Sequence, residues 1–263
     1  MLSVLKIGGS VLRDDGSYRL AARYLRDRIA ARPDERLVVI VSARHGVTDE
    51  LLEAARRAGG DPDPVALDLL WSTGEIASVA MLALHLHRER VRAIPLNVHQ
   101  TGLHVGDGPP GAGAATVRPL RLRAAIASAP AVIVPGFLGV SAGGTVASLG
   151  RGGSDLTAVL LAIALGADGC ELVKDVAGYF TADPHVDPLA HQIHSLTIDR
   201  AIAMAAEGCD LVQAAALDAA SNAFLPITVR SLDPAAPVTC VQPRSAAYGI
   251  CHEDDPRRAA LGA

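Results

Sequence analysis

The sequence predicts an α/β protein built on parallel strands, and three observations predict it. Half of the 263 residues are hydrophobic but only 3% are aromatic. Ala, Val and Leu must therefore build the core, which suits parallel strands covered by Ala-rich helices. The run Leu37-Val38-Val39-Ile40-Val41 is wholly apolar, as expected of a central parallel strand. Loops carrying Gly and polar residues repeatedly follow the carboxyl ends of such runs, where an open α/β sheet binds its ligands. The length suits one large domain or two lobes sharing a sheet.

Taken in order, the first strand covers residues 3–7 and enters the turn Gly8-Gly9-Ser10. A helix follows over 18–32, with Leu20, Tyr24, Leu25 and Ile29 on one face. The strand at 37–41 ends at Ser42, and the loop 43–48 leads into a helix starting near Asp49. The next helix, over 64–86, is interrupted near Ser72-Thr73-Gly74-Glu75. Residues 93–98 read as a short strand, and 102–113 as a Gly/Pro-rich loop or surface excursion. Another strand at 131–135 ends in Pro135-Gly136-Phe137, and residues 141–148 form a hairpin around Gly143-Gly144. A helix at 156–165, a strand at 171–173, helices at 198–206 and 214–222, and a last core strand at 227–230 complete the pattern. After Asp254 the chain reads as a frayed tail.

The net charge of −4 and the absence of any Lys/Arg block argue against nucleic acid or an anionic membrane as the main partner. Cys170, Cys209, Cys240 and Cys251 lie far apart and form no CxxC pair, so thiols without a metal or redox role are expected. The chain opens directly on a strand, without a signal-peptide pattern. No apolar run reaches the roughly 20 residues that span a bilayer. A cytoplasmic protein is expected.

The stretch Gly150-Arg151-Gly152-Gly153-Ser154-Asp155 is the most informative. It sets flexible backbone, a cation and a carboxylate at the mouth of a helix, and the Arg fork can hold a carboxylate through two hydrogen bonds. Asp155 on its own would serve as a helix cap. Lys174 and Asp175 open a second segment running to Asp183-Pro184, at a spacing that fits a βαβ unit. Lys6 ends an otherwise apolar strand, and a buried Lys is rare unless it meets an anion. Gly8 and Gly9 let backbone N–H groups approach a phosphate closely. Glu75, inside an apolar helix region, is a candidate for a substrate ammonium or else an ordinary surface carboxylate. His191 and His194 are spaced to share a helix face, yet two histidines without a third ligand do not make a metal site. His85 and His87 should face different ways.

These residues resemble the amino-acid kinase superfamily, and its aspartokinase branch most closely. The resemblance rests on Lys6-Ile7-Gly8-Gly9-Ser10, Val41-Ser42-Ala43, Gly46-Val47-Thr48-Asp49, Ser72-Thr73-Gly74-Glu75, Pro135-Gly136-Phe137-Leu138-Gly139, residues 150–155 and residues 175–184, in family order. It implies a three-layer αβα sandwich of the carbamate kinase-like type with a mainly parallel central sheet. It also implies a catalytic domain over 1–233, and a tail over 234–263 that completes or flanks it. The implied reaction moves the γ-phosphoryl of ATP, with Mg²⁺, onto the side-chain carboxylate of aspartate or a close analogue. Carried over, Lys6 would neutralise charge on the moving phosphoryl and Asp155 would organise the site. Ser42, Thr48, Glu75, Arg151 and Gly152 would hold the acceptor, Glu75 facing its ammonium and Arg151 a carboxylate. Gly8, Gly9, Ser10, Lys174, Asp175, Phe180, Asp183 and Pro184 would form the nucleotide side. No metal site built from protein ligands alone is implied, and a homodimer is.

The sequence departs from that pattern in four places. Lys174 stands where aspartokinases usually have Thr, His185 where an Arg is common, and Asp210 where a Lys normally faces ATP. The usual C-terminal regulatory domains are not expected after Arg230. Two other readings stay open: the same fold with a different acceptor (a phosphonate, phosphate or another amino acid), and a non-catalytic nucleotide-binding homologue.

Overall fold

The computed structural model describes residues 1–106, 115–150, 152–184 and 186–243. Strand β1 (Leu2–Ile7) leads through helix α1 (Asp15–Ala31) to β2 (Arg36–Val41), and then to α2 (Val47–Gly59) and α3 (Pro64–Arg88). Short pieces follow: β3 (Ala93–Pro95), α4 (Val98–Thr101), β4 (Leu103–Val105) and β5 (Ala115–Val117). Helix α5 (Leu120–Ser128) and β6 (Ala131–Pro135) precede the hairpin β7 (Leu138–Val140)–β8 (Val146–Ser148). The last third carries α6 (Gly153–Leu165), β9 (Cys170–Val173), β10 (Ser195–Thr197), α7 (Ile198–Ala206), α8 (Ala214–Asn222), β11 (Ile227–Arg230) and β12 (Thr239–Gln242).

Eight strands form one sheet in the order β10-β12-β11-β9-β1-β2-β6-β3. Every pairing in it is parallel except β11 with β12. Because side chains alternate along a strand, β2 sends Leu37, Val39 and Val41 into one core and Val38 and Ile40 into another. The first core is closed by α1 and α3, the second by α5, α6, α7 and α8. The result is a three-layer αβα sandwich with a mainly parallel central sheet. A smaller sheet, β5-β4-β7-β8, lies beside it.

Several expectations are corrected. Helix α1 starts at Asp15, not residue 18, because Asp14 accepts from the Ser17 N–H at 2.8 Å and completes a capping box. Its buried face is Tyr18, Ala21, Ala22 and Leu25, whereas Leu20 is 60% exposed. Helix α3 runs without interruption. The Ser72 and Thr73 hydroxyls donate back to the carbonyls of Leu69 and Leu70 at 2.6 and 2.7 Å. Gly74 serves packing, since a Cβ there would sit 3.0 Å from Val47 and 3.2 Å from Ala43. With 25 apolar-rich residues α3 is long enough to span a bilayer, yet its inner residues Val79, Leu82 and Leu86 belong to the core. The strand expected at 93–98 stops at Pro95, and Asn97 caps the turn of α4 instead. Ile227–Arg230 is not the last core strand, because β12 pairs with it and fills the place between β11 and β10. His191 and His194 lie in irregular chain before β10, not on a helix. The 107–113 part of the Gly/Pro-rich passage, and the tail after residue 243, lie outside the described residues.

At the amino ends of the strands Arg28 ties α1 to the sheet. It donates to Glu35 at 2.7 and 2.9 Å and to Glu171 at 2.6 and 2.9 Å. Its side chain is 8% exposed and that of Glu35 0%. Removing one member of such a set strands the others as buried charge. Arg28→Ala should therefore lower unfolding free energy by roughly 3–5 kcal/mol. Arg19→Ala, which breaks an exposed pair with Asp15, should cost about 0.5 kcal/mol or less. Urea titration of both variants measures the contrast.

Candidate active site

Strand parity builds the site. Lys6 follows Val4 by two residues and so faces the α6 side of the sheet. Lys174 follows Leu172 by two and emerges just past the end of the neighbouring strand β9, on the same side. Asp155 sits in the first turn of α6, 4% exposed, and meets both. Lys6 Nζ lies 2.9 Å from Asp155 Oδ1, and Lys174 Nζ lies 2.8 Å from Oδ2 and 3.1 Å from Oδ1. These are the only two lysines in the 263-residue chain. Every other basic charge that cannot titrate near neutrality is carried by Arg.

Burial alone would raise the Asp155 pKa, but the two ammonium groups outweigh it and hold the carboxyl at about 2. Burial, reinforced by the adjacent Lys6, brings Lys174 down to about 8, with Asp155 opposing. The cluster is thus two buried cations on one anion. It carries surplus positive charge, and a second anion would relieve it.

Above this charge the chain is stripped of side chains. A Cβ at Gly8 would stand 3.2 Å from Lys6 Nζ, and one at Gly9 would stand 2.6 Å from the Ala43 carbonyl. Gly8 donates its N–H to Val173 O at 3.1 Å, which holds the turn over β9. Ser10 donates to Asp175 at 3.1 Å, and Arg13 reaches the other oxygen at 3.4 Å. Asp175 is thereby turned from the lysine pair toward the surface.

Glu75 is brought in by the inner face of α3, 3% exposed. Burial pushes its pKa up to about 8, despite the Ala43 backbone N–H and the charge of Lys6. Its Oε2 is buried without a hydrogen-bond partner among the described residues. A slot for a cation therefore stands beside a slot for an anion. Ser42 is half-buried at the end of β2, and Thr48 lies in the first turn of α2. The Thr48 carbonyl accepts from Trp71 Nε1 at 3.2 Å, and Trp71 stands edge-on to Phe137 at 5.5 Å. Phe137 holds φ of 68°, an uncommon state for a bulky residue, and its N–H donates to Thr157.

The other predicted positions are spread out. Gly152 caps α6 at φ 72° and packs against Gln213. Phe180 bridges to Gln192, and Asp183 and Pro184 lie exposed in the turns enclosed by that bridge. Asp210 is exposed too, while the Gln213 N–H from the same segment points at Asp155 at 3.4 Å. Arg151 and His185 lie outside the described residues. Among the described residues no three His, Cys, Asp or Glu gather as metal ligands.

Sequence reasoning did not find the Ala43 N–H that holds Glu75, nor the Gln213 N–H, since backbone donors leave no residue-type signal. Nor did it join Lys174 to Lys6. The signal was present, because a chain with two lysines and many arginines reserves the compact ammonium for special places.

Comparison with known proteins fits this geometry. The model of the amino acid kinase family matches residues 1–231. The aspartokinase of Geobacillus stearothermophilus is 37% identical over 195 residues, 74% of this chain and 48% of that protein. The aspartokinase of Mycolicibacterium smegmatis is 37% identical over 231 residues, 88% of this chain and 54% of that protein. This chain thus spans about half the length of the curated relatives it matches. Aspartate kinase from Synechocystis superposes with a TM-score of 0.80 at 32% identity, over 92% of this chain and 40% of that one. E. coli aspartokinase III in complex with aspartate and ADP gives 0.80 at 25% identity, over 94% and 66%.

The Glu75 carboxyl generates a prediction for the free protein. Its folded pKa of about 8 exceeds the ordinary 4.5, so between those values the folded state binds more protons than the unfolded. Its contribution to stability must fall as pH rises through that window. The gap in unfolding free energy between Glu75→Gln and the parent should widen in favour of the variant from pH 5 to 8, by on the order of a few kcal/mol. Parallel denaturation profiles would contradict the assignment.

Proposed function

We propose, starting from the fact that the chain belongs to the amino acid kinase family, that it transfers the γ-phosphoryl group of ATP to the side-chain carboxylate of L-aspartate. One observation carries this reading: the chain's only two lysines converge on Asp155, under a turn whose glycines leave room for phosphate. The names of the relatives support the acceptor, and the E. coli complex holds aspartate with ADP.

The acceptor carboxylate is already ionised at pH 7, so no strong base is needed. Catalysis then rests on alignment and charge compensation. A carboxylate oxygen forms the new bond to phosphorus as the bond to the β–γ bridging oxygen breaks, leaving ADP and an acyl phosphate. Lys6 and Lys174 meet the charge that spreads over the phosphoryl oxygens, and Asp155 fixes both ammonium groups beforehand. Gly9 offers its backbone N–H group, Gly8, whose N–H is held by Val173 O, leaves room beside Lys6, and Ser10, Asp175, Phe180, Asp183 and Pro184 complete the nucleotide side. Mg²⁺ would arrive on the phosphates of ATP and add charge compensation there. Glu75 receives the acceptor ammonium and gives up its own proton to do so, Arg151 takes a carboxylate, and Ser42, Thr48 and Gly152 complete the acceptor side. We take residues 1–233 as the catalytic unit, working in the cytoplasm as a homodimer.

The test is ADP release from Mg-ATP with L-aspartate at the head of a panel of acidic and phosphonate acceptors. Aspartate-dependent release is expected. Release with another acceptor alone would move the substrate, and silence across the panel would overturn the enzyme reading. Lys6→Ala should lower kcat by about 100-fold or more in a protein with unchanged circular dichroism. A near-parental rate would remove Lys6 from the mechanism.

A further inference from the structure

We propose that Tyr18 is a positioning residue for the acceptor side of the site: through Ser78, its hydroxyl steadies the ionised form of Glu75, the form that receives an ammonium group. This rests on the acceptor reading above and names what prepares Glu75 for it.

A row of polar groups runs through the apolar layer between α1 and α3. Tyr18, Ser78 and Glu75 are all buried, at 3%, 1% and 3% exposure. Tyr18 Oη and Ser78 Oγ lie 2.6 Å apart, and either oxygen can donate. Ser78 follows Glu75 by three residues on the inner face of α3, so the two side chains are neighbours one turn apart. The Tyr18 ring is clamped as well. It stacks on His85 at 6.1 Å and 9°, and His85 Nε2 meets Asp15 Oδ1 at 3.0 Å. The hydroxyl is thereby fixed in place, within electrostatic reach of both Glu75 and Arg44. Phenylalanine would fill the same apolar space, so it is the hydroxyl that needs a reason.

Counting protons supplies one. Two hydroxyls carry two protons and share one hydrogen bond, which leaves one proton uncommitted. Ser72 and Thr73 spend theirs on carbonyls within α3, at 2.6 and 2.7 Å. Ser78 does not, and among the described residues its one partner is Tyr18. One turn away stands Glu75 Oε2, buried and without a partner among the described residues. While Glu75 keeps its proton, the pair has no charge to answer. Once the carboxyl ionises, Tyr18 donates to Ser78, and Ser78 turns its own proton toward Glu75. A hydrogen bond to a charged group is stronger than a neutral one, so the pair favours the anion. The other groups facing Glu75 are Lys6 from β1 and the Ala43 N–H after β2, with Arg44 beside Tyr18. All of them are the same in the parent and in a Tyr18 variant, so the difference between the two isolates the hydroxyl pair.

Carboxyl ¹³C NMR of the full chain labelled in glutamate tests this without turnover, with the Glu75 signal assigned by Glu75→Gln. In Tyr18→Phe, and again in Ser78→Ala, Glu75 should titrate about one pH unit above its place in the parent. The same factor should appear in the kinase assay. Tyr18→Phe should raise KM for L-aspartate about 10-fold at pH 7, with KM for ATP near parental. That gap should close toward pH 10, because Glu75 is then ionised in both proteins. A gap of equal size at both pH values would mean loosened packing alone and would overturn the proposal. A Glu75 titration that neither variant moves would overturn it too. A moved titration in a protein that turns over no acceptor would leave the hydroxyl pair standing and overturn the kinase reading alone.

Discussion

One carboxylate held between two ammonium groups organises this molecule. Asp155 is buried at the start of α6, and Lys6 and Lys174 reach it from adjacent parallel strands. A buried carboxylate with one cation would be an ordinary ion pair. With two, the local charge is positive, and burial makes that charge costly until an anion arrives. The depressed Lys174 is the measure of this tension. Gly8, Gly9 and Gly136 follow from the same constraint. A Cβ would stand 2.6 Å from the Ala43 carbonyl at Gly9 and 2.7 Å from the Ser154 side chain at Gly136, and at Gly8 it would crowd Lys6 Nζ at 3.2 Å, so the loops can close over the cluster.

The sheet separates stability from chemistry. Toward its amino ends Arg28, Glu35 and Glu171 form a charge-paired network that pins α1 to β9, and Arg230 reaches back to Glu171 from the carboxyl end of β11. At its carboxyl ends the charges are unbalanced and one oxygen of Glu75 has no partner among the described residues. Buried polar groups are normally paired, so unbalanced charge and an unmet carboxylate at one edge mark the ligand side. The same arrangement bears on two of the departures noted in the sequence, Lys174 and Asp210. Asp210 is turned to solvent, and the cation that faces Asp155 beside Lys6 is Lys174.

Most of the fold was legible in the sequence, because period and composition decide it. The wholly apolar 37–41 run is a central strand, and 214–222 is a helix with the bounds expected. The start of α1 turned on a local cap at Asp14, but other misreadings turned on interactions between distant parts of the chain. Gly74 looked like a break in α3 but is a contact point for Ala43 and Val47. β12 lacks a strong signal of its own and is held by β10 and β11. Of the site, Lys6 and Glu75 were singled out by residue type in an apolar setting, and Asp155 by the Gly-rich stretch that sets it at the mouth of a helix. The proximity of Lys174 to Lys6 needed the register of β1 with β9, and the Ala43 donor needed coordinates.

Because the chain has two lysines, their titration can be followed without assignment crowding. Heteronuclear NMR of lysine labelled with ¹³C and ¹⁵N should give one side-chain signal titrating near pH 8 in the free protein, as burial and Lys6 require of Lys174. That signal should shift to higher pH on adding Mg-ADP, as the bound phosphates stabilise the ammonium. Two lysines titrating near the ordinary 10.5 and indifferent to nucleotide would contradict the account, since Lys174 would then feel neither burial nor the charge of Lys6 and would not meet the bound phosphates.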